Sequence, residues 1–380
     1  MIIDYEVLKF IWWVLVGVLL IGFAVTDGMD MGVGTLLPFL GKNDDERRVI
    51  INTIGPHWDG NQVWLITAGG AIFAAWPLVY ATAFSGFYFA MLLALFALFF
   101  RPVGFDYRSK IEDRRWRNAW DWGLFVGGAV PALVFGIAFG NLLQGVPFYL
   151  DELLRPYYTG NFFGLLNPFA LLTGLVSLGM LTMHGAIWLQ LRTSEPIATR
   201  AKRWALFIGL ATITSFALAG LDMFFFVDGF KVVSMPALDA ISNPLVKEVV
   251  VDTHAWLDNY YQYPWTLEFP ALGFVGLGGA ILFSMLNRAG LGLIMSGLGI
   301  AGIILTAGAA MFPFILPSST DPNSSLIAWD ATSSHLTLTV MFWAAVIFIP
   351  IILSYTTWTY VKMWRRVTVE EIRAQDHSAY

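Results

Sequence analysis

Runs of about 20 mostly apolar residues dominate this chain, and that is the length an α-helix needs to cross the hydrocarbon core of a bilayer. They fall at approximately 8–35, 54–76, 79–104, 119–143, 163–191, 204–228, 264–287, 291–314 and 337–362. In lipid the backbone amides must be paired within their own segment or around a closed barrel. Runs this long are not the short alternating strands of a barrel. The expectation is an all-α polytopic membrane protein with nine transmembrane helices and one membrane domain spanning residues 1–380. The charged fraction agrees: 13% of residues, against about 25% in soluble domains, with a mean hydropathy of +0.66. The second run is the weakest, because its first turns hold His57, Asp59, Asn61 and Gln62.

The N-terminus carries Asp4 and Glu6 and lacks both a basic leader and a small-residue cleavage site, so the first run is expected to be retained as a membrane helix. Cysteine is absent, which excludes disulfides, thiolate-held clusters and cysteine nucleophiles within the chain. No basic block is dense enough to suggest nucleic acid. The 16 Trp and 13 Tyr are read mainly as membrane-interface residues.

Basic residues orient the helices. With the N-terminus outside (periplasmic) and the C-terminus cytoplasmic, one set of segments faces the cytoplasm: 36–53, 101–118, 192–203, 288–290 and the C-terminal tail. Together these hold 18 of the 22 Lys and Arg residues; only Lys9, Arg155, Lys231 and Lys247 lie elsewhere. On the outer side, 229–263 is long and acidic with several aromatics, and is expected to lie on the membrane surface. The segment 315–336, rich in Pro, Ser, Thr and Asn, reads as a structured turn.

Ionisable groups inside a membrane are costly and tend to face a bundle interior or a cavity. Three clusters stand out. Asp27 and Asp30 in the first run are three apart and share a helix face. Two close carboxylates repel, so a proton can be held between them; the alternative is a pair that caps a loop or bonds a neighbouring Arg. His57, Asp59, Asn61 and Gln62 open the second run. His57 and Asn61 are four apart, and His is the side chain that titrates near neutral pH. An N-terminal helix cap explains one of these polar residues and not four. Arg101 and Asp106 close the third run: Arg101 is placed to neutralise a carboxylate and Asp106 to extend an inlet, the alternative being an ordinary interfacial ion pair. Topology puts all three clusters on the cytoplasmic side, which suggests a proton route. Asn141, Gln144, Asp222, Asp228, Glu268, Trp329 and Asp330 read mostly as loop anchors and subunit contacts. The five histidines, His57, His184, His254, His335 and His377, form no ligand pair at helical spacing. His184 within the fifth run is the one candidate for haem iron, with a hydrogen-bonded structural role as the plainer reading.

The stretches FIWWVLVGVLLIGFAVTDGMDMGVG, PHWDGNQVWLITAGGAIFAAWP, AFSGFYFAMLLALFALFFRPVGFDYRSK, AFGNLLQGVPF and MFPFILPSST followed by WDATSSHLTL resemble subunit II of the cytochrome bd ubiquinol oxidases. The resemblance runs from residue 4 to the C-terminal end, with divergence in 193–263. It implies nine transmembrane helices arranged as two four-helix bundles plus one peripheral helix. It implies a partner, subunit I, that carries two b-type haems and haem d and oxidises quinol, while this chain ligates no haem and no metal. The complex reduces oxygen to water in the bacterial cytoplasmic (inner) membrane and supports a proton motive force. Some members hold a quinone in subunit II, and small single-helix accessory subunits join some complexes. The family's proposed proton channel maps onto Asp27, Asp30, His57, Asp59 and Asp106. Two competing readings are a secondary transporter, which would also use intramembrane acids, and a purely structural subunit.

Overall fold

The computed structural model describes residues 3–374 and 380. It is helical throughout its apolar part. In chain order the helices are α1 (Tyr5–Leu40), α2 (Asp44–Asn52), α3 (Trp58–Ala75), α4 (Pro77–Gly86), α5 (Tyr88–Leu98), α6 (Phe100–Tyr107), α7 (Arg114–Gln144), α8 (Pro168–Arg192), α9 (Ile197–Phe226), α10 (Asp258–Gln262), α11 (Glu268–Met285), α12 (Ala289–Met311), α13 (His335–Lys362) and α14 (Val369–Ala374). Six short strands pair as antiparallel hairpins: β1 (Phe148–Leu150) with β2 (Pro156–Tyr158), β3 (Gly229–Ser234) with β4 (Glu248–Asp252), and β5 (Phe314–Leu316) with β6 (Leu326–Ile327).

Among the described residues, eight helices are long and apolar enough to cross a membrane: α1, the 88–110 stretch, α7, α8, α9, the 264–285 stretch, α12 and α13. Helix α3 runs alongside them, but its polar first turns keep it out of this set. Two sequence expectations need correction. The run 79–104 is not one helix, because α4 ends at Gly86 and α5 begins at Tyr88. Gly86 is a poor helix former, and the Tyr158 ring from β2 lies 2.9 Å from where its Cβ would be. The run 54–76 becomes helical only at Trp58. Pro56 disfavours helical geometry at the residue before it, and 53–57 forms a turn.

Local chemistry sets the helix ends. Asn43, Asp113, Asn167 and Ser334 accept from backbone N–H groups of Glu46, Arg115, Ala170 and Thr337 and cap α2, α7, α8 and α13. Pro168 occupies the first turn of α8, where no intrahelical donor is needed. Helix α7 stops at Gly145, whose φ of +83° suits glycine.

Helix α1 is the centre of the assembly, packing on α3, α7, α8 and α12; α8 also packs on α9, and α11 on α12. The α1–α8 crossing is backbone-close. A Cβ at Gly32 would run into the Leu181 carbonyl, and one at Gly185 would lie 2.6 Å from the Gly32 carbonyl carbon. Dispersion contacts and close backbone approach, not hydrophobic exclusion from water, hold helices together in lipid. Gly32→Val is therefore expected to cost about 3 kcal/mol or more by forcing these backbones apart. The check is a lower Tm and a lower yield of assembled complex in detergent. By contrast, α13 leans on α1 and α3 and buries only Leu338.

The two ends of the bundle differ in chemistry. One carries α2, α14 and the basic segments. Buried Asp121 accepts from Arg108 Nε at 2.5 Å and from Arg47 at 2.7 Å, Asp44 binds Arg108 and Arg117, and Glu46 binds Arg200. These pairs staple α2 to α7 and α9. The opposite end carries all three hairpins, together with Lys9, Arg155, Lys231 and Lys247. There the 315–336 segment is the structured turn expected of it. Ser318 N–H donates to Ser325 Oγ, Leu150 N–H to Ser324 Oγ and Ile327 N–H to Asp330 Oδ1. Arg101 departs from the expected charge map, since it sits inside the bundle on α6 and not in the basic loop.

Candidate functional site

About three turns from its C-terminal end, α1 presents Asp27 and Asp30 on one face, both buried. Their spacing of three dictates that shared face, and what meets it comes from α3, α6 and α13. Arg101 reaches from α6 and grips Asp27 with both amino groups, at 2.8 Å and 2.5 Å. Such a two-pronged pair is the strong form of charge-assisted bond. The same guanidinium lies 3.9 Å from Asp30 and 5.6 Å over the Trp58 ring, so it neutralises both acids unequally.

Asp30 is held instead by Asn61, whose Nδ2 donates to Asp30 Oδ2 at 2.8 Å. The second Nδ2 hydrogen faces His57 Nδ1 at 3.1 Å, as the four-residue spacing at the head of α3 allows. His57 Nε2 lies 3.1 Å from the Thr53 carbonyl, which can only accept, so Nε2 carries the ring hydrogen. Asp30 Oδ1 is 3.8 Å from His57 Nδ1 and has no hydrogen-bond partner among the described residues, although it is buried. Buried polar atoms are rarely left unbonded, and this oxygen is the open acceptor of the cluster. Aromatic rings wall it in: Tyr360 lies 4.9 Å from the His57 ring and Trp188 lies 5.6 Å from it, edge-on. Arg192 stacks 4.7 Å over Trp188. Trp188 Nε1 and Arg192 Nη1 are two further buried donors without a partner among the described residues.

The structure thus brings Asp27, Asp30 and His57 together. It does not add Asp59 and Asp106 to that cluster. Both are exposed at the basic end. They flank Tyr380, whose ring packs on Gly55 and lies 6.0 Å from Phe105. Burial raises the Tyr380 phenol pKa, and the Asp106 and Asp59 carboxylates push it the same way.

Other sequence candidates resolve as anchors. Asn141 Nδ2 donates to the Ile137 and Leu165 carbonyls. Asp330 pairs with buried Lys247 at 2.7 Å, and burial raises the carboxyl pKa while lowering that of the amine. His184 has Nδ1 at 2.5 Å from Ser296 Oγ and Nε2 at 3.0 Å from the Val25 carbonyl. His335 Nε2 faces the Ile3 carbonyl, and His377 lies outside the described residues. Among those residues no three His, Asp or Glu side chains gather as a metal-binding group. Sequence reasoning missed Tyr360, which carries no local signal inside an apolar run, and Asp121, which looks like an ordinary helix-surface acid.

The model of the family described as cytochrome bd terminal oxidase subunit II matches residues 8–363. The chain belongs to that family. It is 61% identical to cytochrome bd-I ubiquinol oxidase subunit 2 of Escherichia coli K12, with all of both chains covered. It is 56% identical to a probable cytochrome oxidase subunit 2 of Haemophilus influenzae, again over the full length of each. The cytochrome bd ubiquinol oxidase subunit 2 of Bacillus subtilis is 32% identical, with 95% of this chain and 97% of that protein covered. A chain in the structure of bd oxidase from Geobacillus thermodenitrificans shares the fold, with a TM-score of 0.65 and 16% identity over 95% of this chain and all of that one. This subunit II is therefore part of a respiratory terminal oxidase. Membership sets aside the secondary-transporter reading.

Proposed function

We propose that this subunit II pairs with a haem-bearing subunit I in a quinol:oxygen oxidoreductase of the bacterial cytoplasmic membrane, and that it conducts protons from the cytoplasm towards the site of oxygen reduction. Reducing oxygen to water consumes protons, so a buried site needs a polar path through apolar protein. The observation that carries this reading is the enclosed group of Asp27, Asp30 and His57 with an unbonded Asp30 oxygen. Intramembrane acids that face a bundle interior are by default functional. Asp59 and Asp106 collect protons at the exposed mouth, His57 and Asp30 take them inward, and Asp27, held by Arg101, stands at the inner end.

The finer architecture follows the same reading. Helix α3 serves as a ninth span, since its two ends meet Asp30 near the basic end and Ser333 near the hairpin end. Helices α1 and α3–α7 form one four-helix bundle, α8, α9, α11 and α12 form the other, and α13 is peripheral. The basic end faces the cytoplasm by the distribution of Lys and Arg. Haem ligation falls to subunit I. Both ring nitrogens of His184 already face protein partners, as do both of His57, which leaves neither ring a nitrogen free for iron.

A purely structural role is the second reading, and the Asp27–Arg101 pair alone would fit it. Asp59→Asn in the assembled oxidase separates the two. Loss of an exposed proton-collecting charge is expected to slow quinol oxidation about tenfold at alkaline pH, and less at acid pH, with haem content unchanged. Full turnover at every pH would remove Asp59 from the path.

A further inference from the structure

Tyr360 sits on α13, the helix least covered by the rest of the chain, yet its hydroxyl enters the buried cluster and donates to Asn61 Oδ1 at 2.8 Å. A phenol can donate to an amide oxygen or accept from an amide N–H, so it is the other two neighbours of Asn61 that fix which way the amide points. With its oxygen turned to Tyr360, both amide hydrogens face acceptors, Asp30 Oδ2 and His57 Nδ1. The exchanged amide would set its oxygen against a carboxylate oxygen and an imidazole lone pair, which are all acceptors.

We propose that Tyr360 is a positioning residue for proton uptake: by locking the Asn61 amide, it fixes Asp30 as an acceptor and keeps the His57 Nδ1 lone pair turned towards it. This rests on the reading of Asp30 as a proton carrier. A proton that reaches His57 Nδ1 displaces the Asn61 N–H bond and produces an imidazolium, with Nε2–H still on the Thr53 carbonyl. The new Nδ1–H faces the unbonded Asp30 Oδ1, 3.8 Å away. Transfer to Oδ1 returns the neutral ring, and the Asn61 bond re-forms. No electron moves, and the proton count balances at each atom. The charged and titratable groups around the pair are Asp27 on α1, Arg101 on α6, Arg192 on α8 and Tyr360 on α13. Helix α13 thus contributes a specific hydrogen bond to the interior despite burying little apolar surface.

The test uses the intact oxidase complex in membranes. Quinol-oxidase turnover is followed from about pH 6 to pH 9, with haem content per complex as the assembly control. Tyr360→Phe removes one hydroxyl. It leaves the amide oxygen without its donor and loosens the amide, which weakens the N–H bonds to Asp30 and His57 and so favours their protonated forms. The expected result is a midpoint of the pH–rate profile moved up by about one unit, the scale of one hydrogen bond, at unchanged haem content. Asn61→Leu should move the profile the same way, and the double variant should move it no further than Asn61→Leu alone, because Tyr360 acts through Asn61. An unmoved profile in Tyr360→Phe, or additive shifts in the double variant, overturns the proposal even where Asp30→Asn abolishes turnover. If Asp30→Asn keeps full turnover, the proton-path reading fails and this inference fails with it. Should Tyr360→Phe not assemble, Asn61→Leu alone decides: an unmoved profile there overturns the role of the amide.

Discussion

Replacing Arg101 by Leu is expected to collapse the yield of haem-containing complex. The variant leaves Asp27 fully buried opposite an apolar side chain, having lost both guanidinium bonds. Removing one partner of a buried ion pair costs about 3–5 kcal/mol, because the remaining charge has nothing to solvate it. Marginal stability is of the same order. A lower Tm of the purified complex and a loss of haem absorbance per milligram of membrane would register the effect. The companion double variant Arg101→Leu/Asp27→Leu removes both charges and is expected to recover most of the assembly, since a buried pair and an apolar pair are often close in stability. What the double variant does in turnover then decides the role of Asp27. Recovered assembly with lost turnover assigns it to the proton path, whereas recovery of both makes the pair purely structural.

The second large effect is expected at Asp30. Asp30→Asn keeps shape and volume, and the amide oxygen can still accept from Asn61. The variant should therefore assemble with its full haem content. It cannot release and rebind a proton, so turnover should fall by about 10²-fold, the usual contribution of a positioned proton-transfer group. Oxygen consumption with excess quinol, normalised to haem, measures this. Near-normal consumption would mean that protons reach the oxygen-reducing site without Asp30, and the path would have to be sought in subunit I.

The two substitutions fail differently because the two acids are held differently. Asp27 is locked in a two-pronged ion pair, so its loss of partner is paid in stability. Asp30 has one oxygen on a neutral amide and one free, so its loss is registered in transfer. Two acids three positions apart on one helix thus carry distinct tasks, and the difference lies entirely in what the neighbouring helices bring.

Much of the fold was legible in the sequence because lipid is an undemanding solvent to read. It requires long apolar runs, and it leaves basic residues on one side of them. Lys9, Arg155, Lys231 and Lys247 do lie at the end opposite the other basic residues, apart from buried Arg101. Local spacing also predicted two contacts correctly: the shared face of Asp27 and Asp30, and the His57–Asn61 approach one helical turn apart. Helix breaks were harder. The run 79–104 looks continuous because it is apolar throughout, and the Tyr158 ring that packs over Gly86, beside the interruption, comes from a hairpin 72 residues further along.

By itself, then, the sequence determined that the chain lives in a membrane as a helical bundle, which of its ends is basic, and which few acids lie where lipid would otherwise be. Those are properties of single segments, fixed by the solvation of each side chain and the period of one helix. Only the tertiary structure decided that Arg101 binds Asp27 across 74 positions, that Asn61 bonds Asp30 across 31, and that Tyr360 reaches Asn61 across 299. Such pairings depend on which helix faces pack together and at what depth. No periodicity within one helix encodes that, because in lipid every apolar face is equally well solvated until another helix covers it.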